Sequence, residues 1–266
     1  MVTLPGRCAF RLLLAALLVL AACGKSGEPT AEAKPSDAAG PPALTIAAAA
    51  SLRELLESTA PDFSAAHGDV RLSFSFEASS TLSRKIEEGG AFDVFLSADA
   101  TNVDRLEDRV VPATRRVFLS NRLVLVGSSD LASPPPDPAA LAAGTWSVAL
   151  AGPAVPVGKY ARAYLERKEL LAAVAPRIST ADDVRAALAL VEAGTVDTAF
   201  VYLTDANLAK DAKLLWIAPP EDDPGISYVA VVVHGAKPAA PAYVEWLRSE
   251  AFLAKAEALG FLRPVH

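Results

Sequence analysis

Residues 44–52 read Leu44-Thr45-Ile46-Ala47-Ala48-Ala49-Ala50-Ser51-Leu52. The short apolar run over 44–48 passes without any turn sequence into Leu52, Leu55, Leu56 and Phe63, which recur at helical spacing. A strand that feeds straight into a helix is the repeating unit of an α/β fold. Ser51 stands at the junction. Pro61 is expected to kink or break this helix, because its nitrogen has no hydrogen to donate and its ring crowds the preceding turn.

The alternation continues along the chain. Val70, Leu72, Phe74 and Phe76 alternate with polar residues and predict a strand; Leu82 and Ile86 mark a short helix ending at Gly89-Gly90. Residues 92–98 and 122–127 read as strands, the second followed by a loop over 128–138 that carries four prolines. A second series begins with a strand over 146–151 and a helix around 160–171. A further helix over 183–192 places Val184, Ala187, Leu188 and Val191 on one face. Strands over 198–203, 214–217 and 227–233 follow, and two short helices near 242–247 and 252–259 close the chain. No internal repeat is visible. The pattern predicts an α/β fold with mostly parallel sheets. About 220 residues is large for one such sheet, which favours two lobes.

On the N-terminal side, Arg7 and Arg11 precede an apolar stretch over 12–20 that is short for a membrane span, and Ala21 and Ala22 then precede Cys23. Leu20-Ala21-Ala22-Cys23 resembles the lipobox of bacterial lipoproteins. The resemblance implies cleavage before Cys23 and acylation of that residue; several acyl chains on one residue anchor a protein stably. Gly24 stands where such lipoproteins carry an inner-membrane retention aspartate. Residues 24–43, rich in Gly, Ala, Pro, Ser, Lys and Glu, hold almost no large apolar side chain and read as a flexible tether. Removal of residues 1–23 takes away two arginines and carries the net charge of the 266-residue chain from −6 to −8. An acidic protein has no general field for nucleic acid or an anionic membrane surface. An anion would have to be held by local dipoles. With Cys8 in the removed segment, the two cysteines form no disulfide framework.

In open α/β sheets, ligands sit beyond the carboxyl ends of the strands. Four strand-to-helix junctions share a feature there: residues 47–51, 78–81 (Ala-Ser79-Ser80-Thr), 156–158 (Pro-Val157-Gly) and 180–184 (Thr-Ala-Asp-Asp-Val184). Each offers free backbone N–H groups at a helix start, and two offer hydroxyls. Such termini favour anions. Taken singly, Ser51, Ser79 and Ser80 read better as N-caps, each contributing about 1 kcal/mol. Only several junctions facing one cleft give the anion reading weight. Tyr202 ends the apolar run 199–202, where it serves equally as a rim tyrosine or as a hydroxyl donor to an anion. Asp182 or Asp183 reads as a helix cap, with Arg185 solvated or paired nearby. A carboxylate facing a dianion would oppose binding, so neither aspartate is expected as a ligand. His67, His234 and His266 are isolated and lack metal-ligand spacing. No G-x-S-x-G, Walker loop, H-E-x-x-H or C-x-x-C occurs.

From Leu44 to Pro264 the residues resemble the periplasmic molybdate-binding proteins of ABC importers, within the type II solute-binding proteins. The segments that carry the resemblance are A-A-A-S-L (48–52), S-S-T-L-S-R-K-I-E-E-G (79–89), F-D-V-F-L-S-A-D (92–99), N-R-L-V-L-V (121–126), V-P-V-G-K-Y-A (155–161), D-D-V-R-A-A-L-A-L-V-E (182–192), F-V-Y-L-T-D-A (200–206) and G-F (260–261). Singly they are weak; in this order and spacing they are specific. The resemblance implies two Rossmann-like α/β lobes joined by two crossover strands, residues 44–121 with 228–266 and residues 122–227, with an oxyanion enclosed between them. It implies a neutral site in which Ser51, Ser79 and Tyr202 supply hydroxyls, with Ser80 the nearest rival of Ser79, and Val157 and Val184 supply backbone N–H groups. It further implies no catalysis and no cofactor, a monomer binding molybdate or tungstate as the oxyanion with no direct cation ligands, and a permease subunit as partner. The location it implies is the periplasm or the outer face of the cytoplasmic membrane, or the periplasmic face of the outer membrane, through the lipid on Cys23. Val157 stands where the family often has Ala, Asp182 where Glu is common and Ala199 where Gly is common.

Three other readings compete. One is the same fold holding sulfate, phosphate or a ferric ion on Tyr202 and Tyr228. A second is a serine hydrolase using Ser51 or Ser79 with His67 or His234. The third is a structural lipoprotein without a ligand.

Overall fold

The computed structural model describes residues 43–264. Cys23, the apolar stretch before it and all but the last residue of the expected tether lie outside the described residues. Ten strands, β1 (Ala43–Ala49), β2 (Arg71–Glu77), β3 (Val94–Ser97), β4 (Arg116–Ser120), β5 (Leu123–Ser128), β6 (Val148–Ala151), β7 (Ile178–Ala181), β8 (Thr198–Tyr202), β9 (Ala212–Ile217) and β10 (Ser227–Val232), form two five-stranded sheets. The helices are α1 (Arg53–Ala66), α2 (Ser79–Glu87), α3 (Thr101–Asp104), α4 (Pro138–Ala143), α5 (Pro156–Arg167), α6 (Leu171–Val174), α7 (Val184–Glu192), α8 (Leu203–Leu208), α9 (Ala240–Trp246) and α10 (Glu250–Ala258).

The first sheet has the order β2-β1-β3-β10-β4, the second β7-β6-β8-β5-β9. In each, the first three strands pair in parallel and the fourth runs against both neighbours. The sheets are therefore mixed, which corrects the expectation of mostly parallel pairing. The cause is the chain path. Only two connections join the sheets, β4 to β5 through Asn121-Arg122 and β9 to β10 through residues 218–226, and each delivers its arriving strand, β5 or β10, antiparallel into the fourth place.

Central strands are apolar but for one terminal serine or threonine in two of them: β3 (VFLS), β6 (VALA) and β8 (TAFVY) are buried at every position, as expected of strands covered on both faces. Edge strand β2 (RLSFSFE) keeps polar residues between its aromatics and is only half covered. Strands β4 and β7 were not foreseen. Residues 116–120 run almost directly into the next strand, and β7 (ISTA) is four residues long with two of them exposed.

Helix α1 continues through Pro61. Both Pro61 and Glu57, whose carbonyl Pro61 leaves without a donor, are exposed, so water can serve that carbonyl. Leu55, Leu56, Thr59 and Phe63 stay buried on the other face and hold the helix to the sheet. Helix α5 begins at Pro156, earlier than the sequence suggested, because proline suits a first helical turn. It ends at Arg167, short of the expected 171.

Candidate functional site

Residues from every one of the four junctions line a single cavity: Ala49, Ala50 and Ser51 after β1; Ala78 and Ser79 after β2; Val155, Pro156 and Val157 at the start of α5; Asp183 and Val184 at the start of α7. Tyr202 at the end of β8 and Ala98 after β3 complete the wall, with Glu77. The free space is small, about 20 Å3, against the roughly 10–15 Å3 that a single buried water needs. Ser51, Ser79, Val157, Val184 and Tyr202, far apart in sequence, thus come together around one cavity. Ser80 is buried beside them but does not line it.

The two serines are not N-caps. Ala49 and Ala78 occupy the cap positions, and neither helix start has a side-chain cap bond. The hydroxyls are therefore free for other partners. The Ser79 hydroxyl oxygen accepts a hydrogen bond from the Ala98 N–H at 3.0 Å, which leaves its own proton to be donated. Ser51 Oγ lies 2.9 Å from the Tyr228 hydroxyl.

The two valines contribute through the backbone. Val157 and Val184 are the second and first residues of α5 and α7, where an N–H has no carbonyl of its own helix to reach. The Asp183 carboxylate caps α7 by accepting from the N–H groups of Arg185 and Ala186 at 2.8 and 2.9 Å, which leaves the Val184 N–H outside the cap. Gly158 permits the close approach of α5 to the end of β6. A Cβ there would collide with the carbonyl oxygens of Ala151 and Gly152.

Tyr202 is 1% exposed, and its hydroxyl has no hydrogen-bond partner among the described residues. A buried orphan hydroxyl costs roughly 1–3 kcal/mol. Here it is the side chain of a cavity wall. Burial, with the negative fields of its neighbours, pushes the phenol well above its ordinary range, so it remains a proton donor at any physiological pH.

Below this wall sits a charged cluster. The Arg185 guanidinium pairs with Glu54 of α1, and its Nε lies 2.8 Å from Oδ1 of fully buried Asp205. That N–H is not aimed at the oxygen, so the contact is ionic without being a hydrogen bond. Arg185 therefore pairs across 131 positions of sequence, not with a close sequence neighbour. Burial raises the Asp205 carboxyl to about 6, and the attraction of Arg185 offsets this only in part.

Neither histidine within the described residues lines the cavity. His67 Nδ1 is 3.0 Å from the Phe63 carbonyl and its ring stacks on Phe63; His234 is exposed at another groove. Ser51 and Ser79 thus have no imidazole to act as a general base. Among the described residues, no three His, Cys, Asp or Glu side chains gather as metal ligands, and no helix is long and apolar enough to cross a membrane.

Residues 44–262 match the family model described as bacterial extracellular solute-binding protein. The molybdate-binding proteins ModA of Haemophilus influenzae and Escherichia coli are each 34% identical over 202 residues, 72% of this chain and 78% and 77% of theirs. The periplasmic molybdate-binding protein of Azotobacter vinelandii superposes with a TM-score of 0.74 at 24% identity, over 84% of this chain and 100% of that one, and has the same fold. These relatives are named for binding, none for catalysis, which agrees with serines that have no base. With its two mixed sheets and with 219 consecutive residues matching one model, the chain belongs to the bacterial extracellular solute-binding protein family.

Proposed function

We propose that the protein captures molybdate, and also tungstate, as a tetrahedral dianion outside the cytoplasmic membrane and delivers it to the permease of an ABC importer. The observation that carries this reading is the buried, unpartnered Tyr202 hydroxyl on the wall of a cavity that also holds Ser51, Ser79 and the helix starts at Val157 and Val184. Five donors point to a ligand that only accepts. Hydrogen bonds and helix dipoles in a low-dielectric cavity stabilise a dianion without a counter-cation. Sulfate has the same charge and shape but is smaller, so donors spaced for molybdate cannot all reach it at once, and size is the means of discrimination. The curated relatives named as molybdate-binding support the choice among oxyanions.

The binding lobes in this proposal are residues 44–121 with 228–266 and residues 122–227, one for each sheet, working as a monomer. Closure would bring donors of both onto one ion. The lipid on Cys23 and the tether after it hold the lobes at a membrane surface.

Thermal unfolding of the purified protein with molybdate, tungstate, sulfate or phosphate, one at a time, tests the reading. A ligand of the folded state adds about 2.7 kcal/mol of stability at a hundredfold excess over Kd. A large rise in Tm with molybdate and tungstate and none with sulfate or phosphate is the expected result. A flat response to all four would refute it.

A further inference from the structure

One fully buried side chain at the crossing between the sheets is wired to the cavity. Asn121 lies between β4 and β5 and is 0% exposed. The Arg122 N–H donates to Asn121 Oδ1 at 2.8 Å, which fixes the amide with its nitrogen on the other side. Asn121 Nδ2 lies 2.9 Å from the Thr204 hydroxyl and 3.3 Å from the Tyr228 hydroxyl. An amide NH2 can only donate. Tyr228 OH must then accept from Asn121, and its single proton is left for the other oxygen within reach, Ser51 Oγ at 2.9 Å. Ser51 accepts that proton and has its own to give. Ser51 is 3% exposed and stands on the cavity wall.

We propose that Asn121 and Tyr228 are positioning residues that set the direction of a hydrogen-bond relay, from the Asn121 amide through the Tyr228 hydroxyl to Ser51, so that Ser51 presents a proton and not a lone pair to the cavity. This rests on the oxyanion reading above. A serine hydroxyl is by itself ambivalent, equally able to turn its lone pair inward and repel an anion. The relay removes that choice before the ligand arrives, and each bond in such a chain polarises the next. Burial holds the Tyr228 phenol above its usual range, so the relay keeps its proton. Because the same amide also donates to Thr204 at the start of α8, the relay is anchored at one of the two places where the chain passes between the sheets.

The test is a double-mutant cycle read by titration calorimetry with molybdate alone on the purified protein. Wild type, Ser51→Ala, Tyr228→Phe and the double variant are compared, and Asn121→Ala is added in both backgrounds. Tyr228→Phe alone should weaken binding by about tenfold, within the range of couplings between residues of one network. In the Ser51→Ala background the same substitution should change Kd by less than twofold, because the relay then has nothing to orient. Asn121→Ala should follow the same pattern at smaller amplitude. Equal losses in both backgrounds, or no loss from Tyr228→Phe in the wild type, would overturn the relay. Tyr228→Phe keeps the ring and decides the matter even if Asn121→Ala fails to fold. Absence of any heat with wild type would instead sink the oxyanion reading. Unchanged affinity in Ser51→Ala would remove Ser51 from the site and the relay with it.

Discussion

Lys159 Nζ lies 3.0 Å from Asp99 Oδ2 and 2.8 Å from the Thr101 hydroxyl, tying the first turn of α5 on the second sheet to the loop that follows β3 on the first. Asp99 is almost wholly buried, and Lys159 is about two-fifths exposed. The pair lies close in sequence to Ala98 and Val157, which line the cavity, so it ties together the two segments that supply them. An exposed pair contributes roughly 0–1 kcal/mol, but removing the partner of a buried charge costs more, because that charge is left unpaired. Lys159→Met should therefore weaken oxyanion binding by about three- to tenfold, mainly through faster release. Asp99 keeps its bonds from the Asn102 N–H and side-chain amide, so the variant should still fold. Stopped-flow displacement of molybdate by tungstate would measure the off-rate; an unchanged rate would show that the pair does not retain the ion.

Tyr202→Phe separates binding from stability. The hydroxyl has no hydrogen-bond partner among the described residues, so its loss removes no hydrogen bond between them. The apo Tm should stay level or rise slightly. A hydrogen bond to a charged group contributes about 1.5–3 kcal/mol, so affinity for molybdate should fall by roughly tenfold to a hundredfold. Calorimetric titration beside an apo melt checks both. A lowered apo Tm with unchanged affinity would mean that the hydroxyl supports the fold and not the ligand.

Most of the α/β plan was legible because strands buried on both faces appear as apolar runs, and the helices after them carry 3.6-residue periodicity. The junctions were legible for a related reason: small and hydroxylated residues collect where a strand end meets a helix start. What local sequence lacked was the partner. Ser51 and Ser79 resembled caps until alanines proved to hold the cap positions. The Asn121–Tyr228–Ser51 chain spans 107 and 177 positions, and no window of sequence contains it. Asp205 was passed over for the same reason. A lone aspartate after an apolar strand gives no sign that it is fully buried beside Arg185. Pro61 does not break the helix, because exposure decides whether water can serve the freed carbonyl, and exposure depends on the face that packs.

The raised Asp205 carboxyl, at about 6, gives a pH dependence whose sign follows from linkage. Between the ordinary carboxyl value near 4 and about 6, the folded protein binds more protons than the unfolded chain. This group's effect on stability therefore becomes less favourable as pH rises through that window, by on the order of 2–3 kcal/mol in total. Asp93 works the other way. Burial raises it, but the Lys237 side chain and the N–H groups of Thr45 and Lys237 outweigh burial and hold it below its usual range. Its contribution is present above the ordinary carboxyl value and lost as pH falls below it. Asp205→Asn should remove the first effect alone. Urea unfolding of wild type and variant at pH 4, 5, 6 and 7 should show the variant gaining relative to wild type from pH 4 to 6 and no further change above. A difference that does not vary with pH would place the Asp205 carboxyl at an ordinary value.

Gly158 tests whether the backbone donor at Val157 depends on how closely α5 meets β6. A methyl group at Gly158 would strike the carbonyl oxygens of Ala151 and Gly152, and backbone atoms cannot swing aside as a flexible side chain can. The helix start would have to move outward, carrying the Val157 N–H with it. Gly158→Ala should destabilise the protein by about 1–3 kcal/mol, the usual range for overpacking, and should lower oxyanion affinity as well. Gly152→Ala, in the loop that leads into α5, is the control. Its added Cβ would meet only Val155 Cγ2 at 3.6 Å, an ordinary contact, so both stability and affinity should stay near wild type. Chemical unfolding and calorimetry on the two variants distinguish a geometric requirement at one position from a general sensitivity of the loop. Equal behaviour of both would mean that the α5 start tolerates displacement, and that Val157 is held by something other than this close approach.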